Sequence, residues 1–355
     1  MATRIIAPPI YWADTIYNLS STLNTGNGND IITGNGAWGI ENYLGTFNTG
    51  DGSDTITGIG TEFGGIGNSG SINTGDGNDR ITGTTKRGSG IENSSNSSID
   101  TGDGNDIITA IGNYYVIYNN GTINTGNGND SIIAEENGNL PLYNSNKSGT
   151  INTGNGNDSI ILHGGLYNSG GVFLGDGNDS LVADADLPDR ALVNYNAIET
   201  GDGDDIITST GVIYNEGVIN TGNGNDSIIV DGGVDGTGTG YGIYNNGGSI
   251  NTGNGNDSII ANDGFESGSN SSGSVFLGNG KDYLKGFGSG DFYGGNGNDT
   301  LELTPGSYTV EIRDTSATFT KGNQLMITSE FEKLIAGGTI YDFTSLTAGQ
   351  IIIVA

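Results

Sequence analysis

The sequence predicts an all-β chain wound as a parallel β-solenoid (β-helix or β-roll) of about twelve coils, right-handed by the general preference of such crossovers, with a small β cap at its C-terminal end. Three observations carry that expectation. The skeleton Gly-x-Gly-x-Asp-x-(Ile/Leu) recurs twelve times in 355 residues, and repetition at roughly two dozen residues marks a solenoid or an array. Three residues before each first glycine stands an apolar side chain, such as Leu23, Phe47, Ile72, Ile123, Val172 or Phe292. A second motif, (Ile/Leu)-x-Asn, precedes ten of the loops, from Ile16-Tyr17-Asn18 to Ile243-Tyr244-Asn245. The apolar positions around each loop alternate with polar ones at period two, as short strands require.

Taken in order, residues 1–15 form a lead-in with Pro8, Pro9, Tyr11 and Trp12, read as an N-terminal cap because solenoid ends need covering. The repeat then runs from residue 16 to 303. Residues 116–133 illustrate one unit: strand (Val-Ile-Tyr-Asn), turn (Asn-Gly), strand (Thr-Ile-Asn-Thr), glycine loop (Gly-Asn-Gly-Asn-Asp), strand (Ser-Ile-Ile). Three short strands in about 24 residues suit one coil of a parallel β-helix or an enlarged β-roll. Inward isoleucines should stack between coils, and the turn asparagines could form a hydrogen-bonded ladder. Tyr17, Tyr118, Tyr143, Tyr167, Tyr214 and Tyr244 occupy the middle of the second motif; alternation points them outward as a partial tyrosine ladder, read first as stacking that stabilises the sheet. Length varies at one corner, as in Ala134–Pro141 against His163-Gly164-Gly165. Residues 304–355 have less glycine and charges of both signs, and Tyr308–Arg313 alternates like an ordinary strand.

The loops themselves carry the chemistry. Their first glycines are Gly26, Gly50, Gly75, Gly102, Gly126, Gly154, Gly175, Gly201, Gly222, Gly253, Gly278 and Gly295. Their second glycines are Gly28, Gly52, Gly77, Gly104, Gly128, Gly156, Gly177, Gly203, Gly224, Gly255, Gly280 and Gly297. The aspartates are Asp30, Asp54, Asp79, Asp106, Asp130, Asp158, Asp179, Asp205, Asp226, Asp257, Asp282 and Asp299. Paired glycines let the backbone adopt positive φ and expose its carbonyls, and the aspartate adds a carboxylate. Such hard oxygen ligands suit Ca²⁺, which takes about 6–8 oxygens in flexible geometry. One loop cannot fill that shell, whereas two loops at strand spacing, about 4.8 Å, could clamp an ion.

The motif resembles the nonapeptide calcium-binding repeat of the RTX family, Gly-Gly-x-Gly-x-Asp-x-(apolar)-x, and Gly294–Leu301 matches it letter for letter. Most other copies carry Thr where the family has its first glycine (Thr25, Thr49, Thr153, Thr221), and two carry Leu (Leu174, Leu277). The resemblance implies Ca²⁺ between stacked turns, held by the aspartate and by carbonyls around both glycines. A pair such as Gly126, Gly128 and Asp130 with the loop around Asp158 would form one site. The C-terminal stretch Tyr341–Ala355 resembles the uncleaved tail through which RTX proteins leave the cell by a type I system, and also the terminal domain of cyanobacterial RTX-type calcium-binding proteins. A plain C-terminal cap is the alternative, and the two roles are compatible.

Composition bounds the function. A formal net charge of −30 with 11 Lys+Arg disfavours nucleic acid or an anionic membrane as partner. The absence of Cys excludes disulfides and thiolate metal sites. A column of bare aspartates should repel itself, so the metal-free chain is expected to be largely unfolded, with metal supplying much of the folding free energy. The first residues lack an apolar core long enough for a secretory signal peptide, and no stretch reaches the length of a membrane-spanning helix.

No catalytic constellation is expected. His163 is the single imidazole and lies at the variable corner. Asp184, Asp186, Asp189 and Arg190 sit in a divergent insertion, read as a solvated loop rather than a polysaccharide-active cleft. The expected function is a secreted, calcium-binding structural or cell-surface protein, not an enzyme, whose coils would span roughly 60 Å. Its partners would be calcium ions, further copies of itself or a cell-surface polysaccharide. The alternative is a calcium-stabilised binding module, an adhesin or a carbohydrate- or ice-binding face. The loop column of Asn27, Asn127, Asn155, Asn223, Asn254, Asn279 and Asn296 is interrupted by Asp51, Asp76, Asp103, Asp176 and Asp202, which weakens an ice-binding lattice.

Overall fold

The computed structural model describes residues 4–6, 15–136, 140–145, 148–184, 190–234, 240–268 and 272–355. Pro8, Pro9, Tyr11, Trp12, Asp186 and Asp189 lie outside the described residues. Apart from one 3₁₀ turn at Phe343–Ser345, the assigned elements are β-strands. The chain is a β-solenoid of stacked parallel coils, about ten turns where twelve loops led to an expectation of twelve. Loop spacing tightens at the end of the repeat: Phe265–Glu266 replaces the (Ile/Leu)-x-Asn strand before the Asp282 loop, pairing with Ile243–Tyr244, and only 17 residues separate Asp282 from Asp299. The chain divides into two compact units, Met1–Asp186 and Leu187–Ala355.

In the first unit each coil contributes three inward-facing columns, all in register. Ile40, Ile66, Ile91, Ile117, Leu142 and Leu166 follow one another on the strands that carry Ile-x-Asn. Phe47, Ile72, Ile99, Ile123, Ile151 and Val172 align before the loops. Ile32, Ile56, Ile81, Ile108, Ile132, Ile160 and Leu181 align after them. All of these are buried. A one-residue slip would turn every such side chain to solvent, which is why a strict repeat fixes the register so firmly.

The corner asparagines form the anticipated ladder. Nδ2 of each donates to Oδ1 of the next at 2.8–3.0 Å through Asn18, Asn42, Asn68, Asn93, Asn119, Asn144 and Asn168. Several also cap a carbonyl of the following coil, as Asn119 does with Thr150 O at 3.0 Å. Being buried, these amides need every partner they have. Outside them, the rings of Tyr118, Tyr143 and Tyr167 stack with centroids 5.7 and 4.7 Å apart. Those rings spend their faces on one another.

The second unit repeats the pattern with Ile198, Ile219, Ile250, Val275 and Phe292 in one column. Ile207, Ile228, Ile259, Leu284, Leu301 and Leu334 form another. The longest spacing, from Asp226 to Asp257, accommodates a pair of short antiparallel strands, Gly233–Val234 and Gly240–Tyr241, at the variable corner. From residue 306 the pairing turns antiparallel: Gly306–Arg313, Ser316–Lys321 and Gln324–Ser329 form a meander, and Ile351–Val354 adds to its far side. Gln324–Ser329 also pairs in parallel with Gly290–Tyr293, and Lys333–Ala336 with Thr300–Leu303. Tyr308, Val310, Phe319 and Met326 are fully buried beneath this region.

Candidate metal centre

The glycines of the repeat are fixed by two independent constraints. Every first glycine has φ between +85° and +111°, and every second one between +129° and +156°, a region that side chains with Cβ avoid. There is also no room. A Cβ at Gly128 would lie 1.7 Å from Gly104 O, and one at Gly224 would lie 1.8 Å from Gly203 O. Within each unit the carbonyl of one loop therefore points along the stack at the next loop's Cα, and the interval between those coils is lined by carbonyl oxygens.

The aspartates close the other side of that interval. All twelve are buried, at 0–2 % exposure. In the first unit the amide N–H of each donates to Oδ1 of the next: Asp30 to Asp54, Asp54 to Asp79, Asp79 to Asp106, Asp106 to Asp130, Asp130 to Asp158 and Asp158 to Asp179, at 2.6–2.8 Å. The second unit continues the rule through Asp205, Asp226, Asp257, Asp282 and Asp299 at 2.8–2.9 Å. One carboxylate oxygen is thus engaged. The other is enclosed and accepts no hydrogen bond at Asp54, Asp79, Asp106, Asp130, Asp158, Asp226, Asp257, Asp282 and Asp299.

Enclosure has an electrostatic signature. Burial pushes the carboxyls of Asp79, Asp106, Asp282 and Asp299 up to about 6, and those of Asp130 and Asp257 up to about 7. Burial likewise raises Asp54, Asp158 and Asp226. The threonine hydroxyl nearby (Thr74 for Asp79, Thr101 for Asp106, Thr125 for Asp130, Thr252 for Asp257) and the amide from the neighbouring coil oppose the rise, and for Asp79, Asp106, Asp130, Asp257 and Asp299 the carboxylates of adjacent loops add to it. A buried carboxylate oxygen without a donor is relieved in one of two ways: by a proton or by a cation.

The donor set fits a hard cation. Among the described residues no group of three or more His, Asp or Glu side chains converges on one point, so any ion here would draw on backbone carbonyls beside the aspartates. The glycine loops bring such carbonyls to the next loop within each unit, as at Gly104 and Gly128 or Gly203 and Gly224, while those of Gly126, Gly222, Gly253 and Gly278 also accept the amide of the asparagine one loop on.

The threonine that departs from the family's glycine also gains an explanation. Thr49, Thr74, Thr101 and Thr125 are fully buried, and each hydroxyl donates to the equivalent carbonyl of the next coil at 3.1–3.2 Å. Thr200 and Thr221 do the same in the second unit. Glycine could not make that bond.

Residues elsewhere behave differently. His163 has a side chain 54 % exposed, with Nδ1 3.8 Å from Asp184 Oδ2. Parts of the outer loop column are joined by side-chain bonds, Asn27 to Asp51 at 2.9 Å and Asn127 to Asp103 at 2.6 Å, so Asp51 and Asp103 are acceptors for the asparagines beside them. One participant escaped the sequence reading: Glu332 Oε2 accepts the amide of Asp299 at 2.7 Å. The triplet Glu332-Lys333-Leu334 mirrors Asp299-Thr300-Leu301 and would have revealed it had Glu been allowed at the Asp position. Among the described residues no helix is long and apolar enough to cross a membrane. No family model matches the sequence, and no curated protein is similar to it.

Proposed function

We propose that this chain is a secreted, calcium-binding structural or cell-surface protein of RTX type, whose loops take up Ca²⁺ between successive coils and couple folding to external calcium. The observation that carries the reading is the run of enclosed, donor-less aspartate oxygens beside inter-coil glycine carbonyls. The ligands would be the aspartates with the carbonyls of the paired glycines, Gly126, Gly128 and Asp130 with the loop of Asp158 being one pair. Bound calcium would supply the positive charge that lets the carboxylates ionise while buried. Because neighbouring sites share a loop, uptake should be cooperative and linked to coil formation. Export unfolded through a type I channel, with the C-terminal segment as address, belongs to the same proposal. So do self-association or a cell-surface polysaccharide as partner, and a role without catalysis.

The test is far-UV circular dichroism after EDTA treatment, titrated with CaCl₂ and with MgCl₂ as control. A steep transition to β signal specific to calcium is expected. A β spectrum complete in EDTA and unmoved by calcium would remove the metal from the reading.

A binding face is the second reading. In the first unit the outward residues before the loops align as Thr22, Thr46, Ser71, Ser98, Thr122 and Thr150, with Asn24, Asn48, Asn73, Asp100, Asn124 and Asn152 two positions on. That regular array of hydroxyls and amides supports a surface for carbohydrate or ice. Ice-recrystallisation and polysaccharide pull-down assays in calcium separate the two readings.

A further inference from the structure

The aspartate ladder of the second unit does not stop at the last glycine loop. Asp299 is fully buried, its Oδ1 accepts the amide of Asp282 at 2.9 Å, and its Oδ2 is enclosed without a donor. No further Gly-x-Gly-x-Asp follows in the sequence. Glu332 stands in its place. Thr300 pairs with Lys333 and Leu301 with Leu334, which sets Glu332 beside Asp299 as Asp299 is set beside Asp282. The Asp299 amide then donates to Glu332 Oε2 at 2.7 Å.

The backbone explains why a glutamate is used. Gly294 N donates to Ser329 O at 2.9 Å, as Leu277 N donates to Tyr293 O at 2.9 Å, so Ser329 matches Tyr293 and Glu330 matches Gly294. Between that position and the acid, the last loop has four residues, 295–298, whereas this turn has only Phe331. The shortcut is closed by Glu330 at φ +62° and covered by Phe331, which is buried. The turn has lost the two glycine carbonyls, and the acid has gained a methylene of reach.

We propose that Glu332 closes a terminal cation site, in which one Ca²⁺ is held between the loop Gly295–Asp299 on one side and the Glu332 carboxylate on the other. The proposal rests on the calcium reading of the loops. With carbonyls from one loop instead of two, this site has fewer protein ligands than those inside the stack, and it should bind more weakly and exchange faster. Its free Oε1 is the oxygen available to the ion, since Oε2 holds the Asp299 amide.

The experiment is calcium titration of the full chain by isothermal calorimetry, with terbium luminescence to count ions, on the wild type, E332Q and E311Q. Glu311 lies on the exposed strand Gly306–Arg313 and serves as control. Glutamine keeps an oxygen for the Asp299 amide and removes the charge. E332Q is expected to weaken one equivalent of calcium by about tenfold or more while the remaining equivalents and the saturated far-UV spectrum match the wild type; E311Q should leave all of them unchanged. If E332Q does not reach the wild-type spectrum, E332D, which keeps the charge and loses the reach, is read in the same way. Unchanged stoichiometry and affinities in E332Q and E332D overturn the terminal site and leave the loop sites standing. Absence of calcium uptake by the wild type overturns both.

Discussion

Gly26 and Gly102 occupy the same position of the repeat with φ +85° and +86°, yet they differ in what lies beside them. A Cβ at Gly26 meets nothing within 4 Å, whereas one at Gly102 would stand 2.1 Å from Gly75 O. Alanine at either site incurs the left-handed backbone penalty, about 1–2 kcal/mol. At Gly102 the methyl group must in addition push two coils apart by about an ångström to restore ordinary contact. The bonds opposed to that opening are Thr74 N to Asp100 O at 3.0 Å, Gly77 N to Asp103 O at 2.7 Å and Asp79 N to Asp106 Oδ1 at 2.7 Å. Loss of two or three of them at about 1 kcal/mol each brings Gly102→Ala to roughly 3–5 kcal/mol, against about 1–2 kcal/mol for Gly26→Ala. Urea denaturation in saturating CaCl₂ gives the comparison. Repeat arrays can lose cooperativity, so amide exchange over residues 71–112 should be followed alongside. Equal losses in the two variants would refute the stacked-carbonyl account and leave only the backbone term.

Four further outcomes follow from the buried polar columns. In EDTA the raised aspartates bind more protons folded than unfolded, so any β structure of the metal-free chain is favoured at acid pH and lost as pH rises through about 6 to 7; far-UV circular dichroism in EDTA from pH 5 to pH 8 tests the sign. Calcium uptake near pH 6.5 should for the same reason release protons, seen as a dependence of the calorimetric heat on buffer ionisation enthalpy. Asp130→Asn keeps an acceptor for the Asp106 amide, so in EDTA it should move the loss of β signal to higher pH and weaken calcium binding, two opposite shifts measured on one variant. Asn119→Ala removes bonds to Asn93, Asn144 and Thr150 and should cost about 3 kcal/mol in urea midpoint experiments.

Much of this architecture is legible because the repeat sets register directly. An apolar residue at a constant offset from each loop can stack only on its counterpart, and the Ile, Asn and Asp columns follow from that. The corner lengths were legible for the same reason, since insertions there leave the three strands untouched. Coil count was less so. A glycine loop can close a shortened turn, as the 17 residues from Asp282 to Asp299 show, so loops and full-length turns need not be equal in number. The use of Oδ1 was hidden as well: a carboxylate in a glycine loop reads as a ligand, and nothing in the letters says that half of it will hold an amide. Glu332 was missed because its turn is three residues shorter than a glycine loop. Where backbone is shortened, side-chain length compensates, and a search by letter does not see that exchange. The boundary near residue 187 has no sequence mark of its own beyond the acidic insertion.

The bond from each aspartate amide to the following aspartate has a consequence for how such a chain can change length. Asp106 pairs with Asp130, 24 residues on, and Ile107 pairs with Ser131. Excision of residues 107–130 would join Asp106 to Ser131 and regenerate Gly-Asp-Gly-Asn-Asp-Ser-Ile-Ile, with every rung meeting a chemically equivalent rung. Cuts at any other phase would set core side chains against solvent. Length can therefore change in steps of one coil while every column keeps its register.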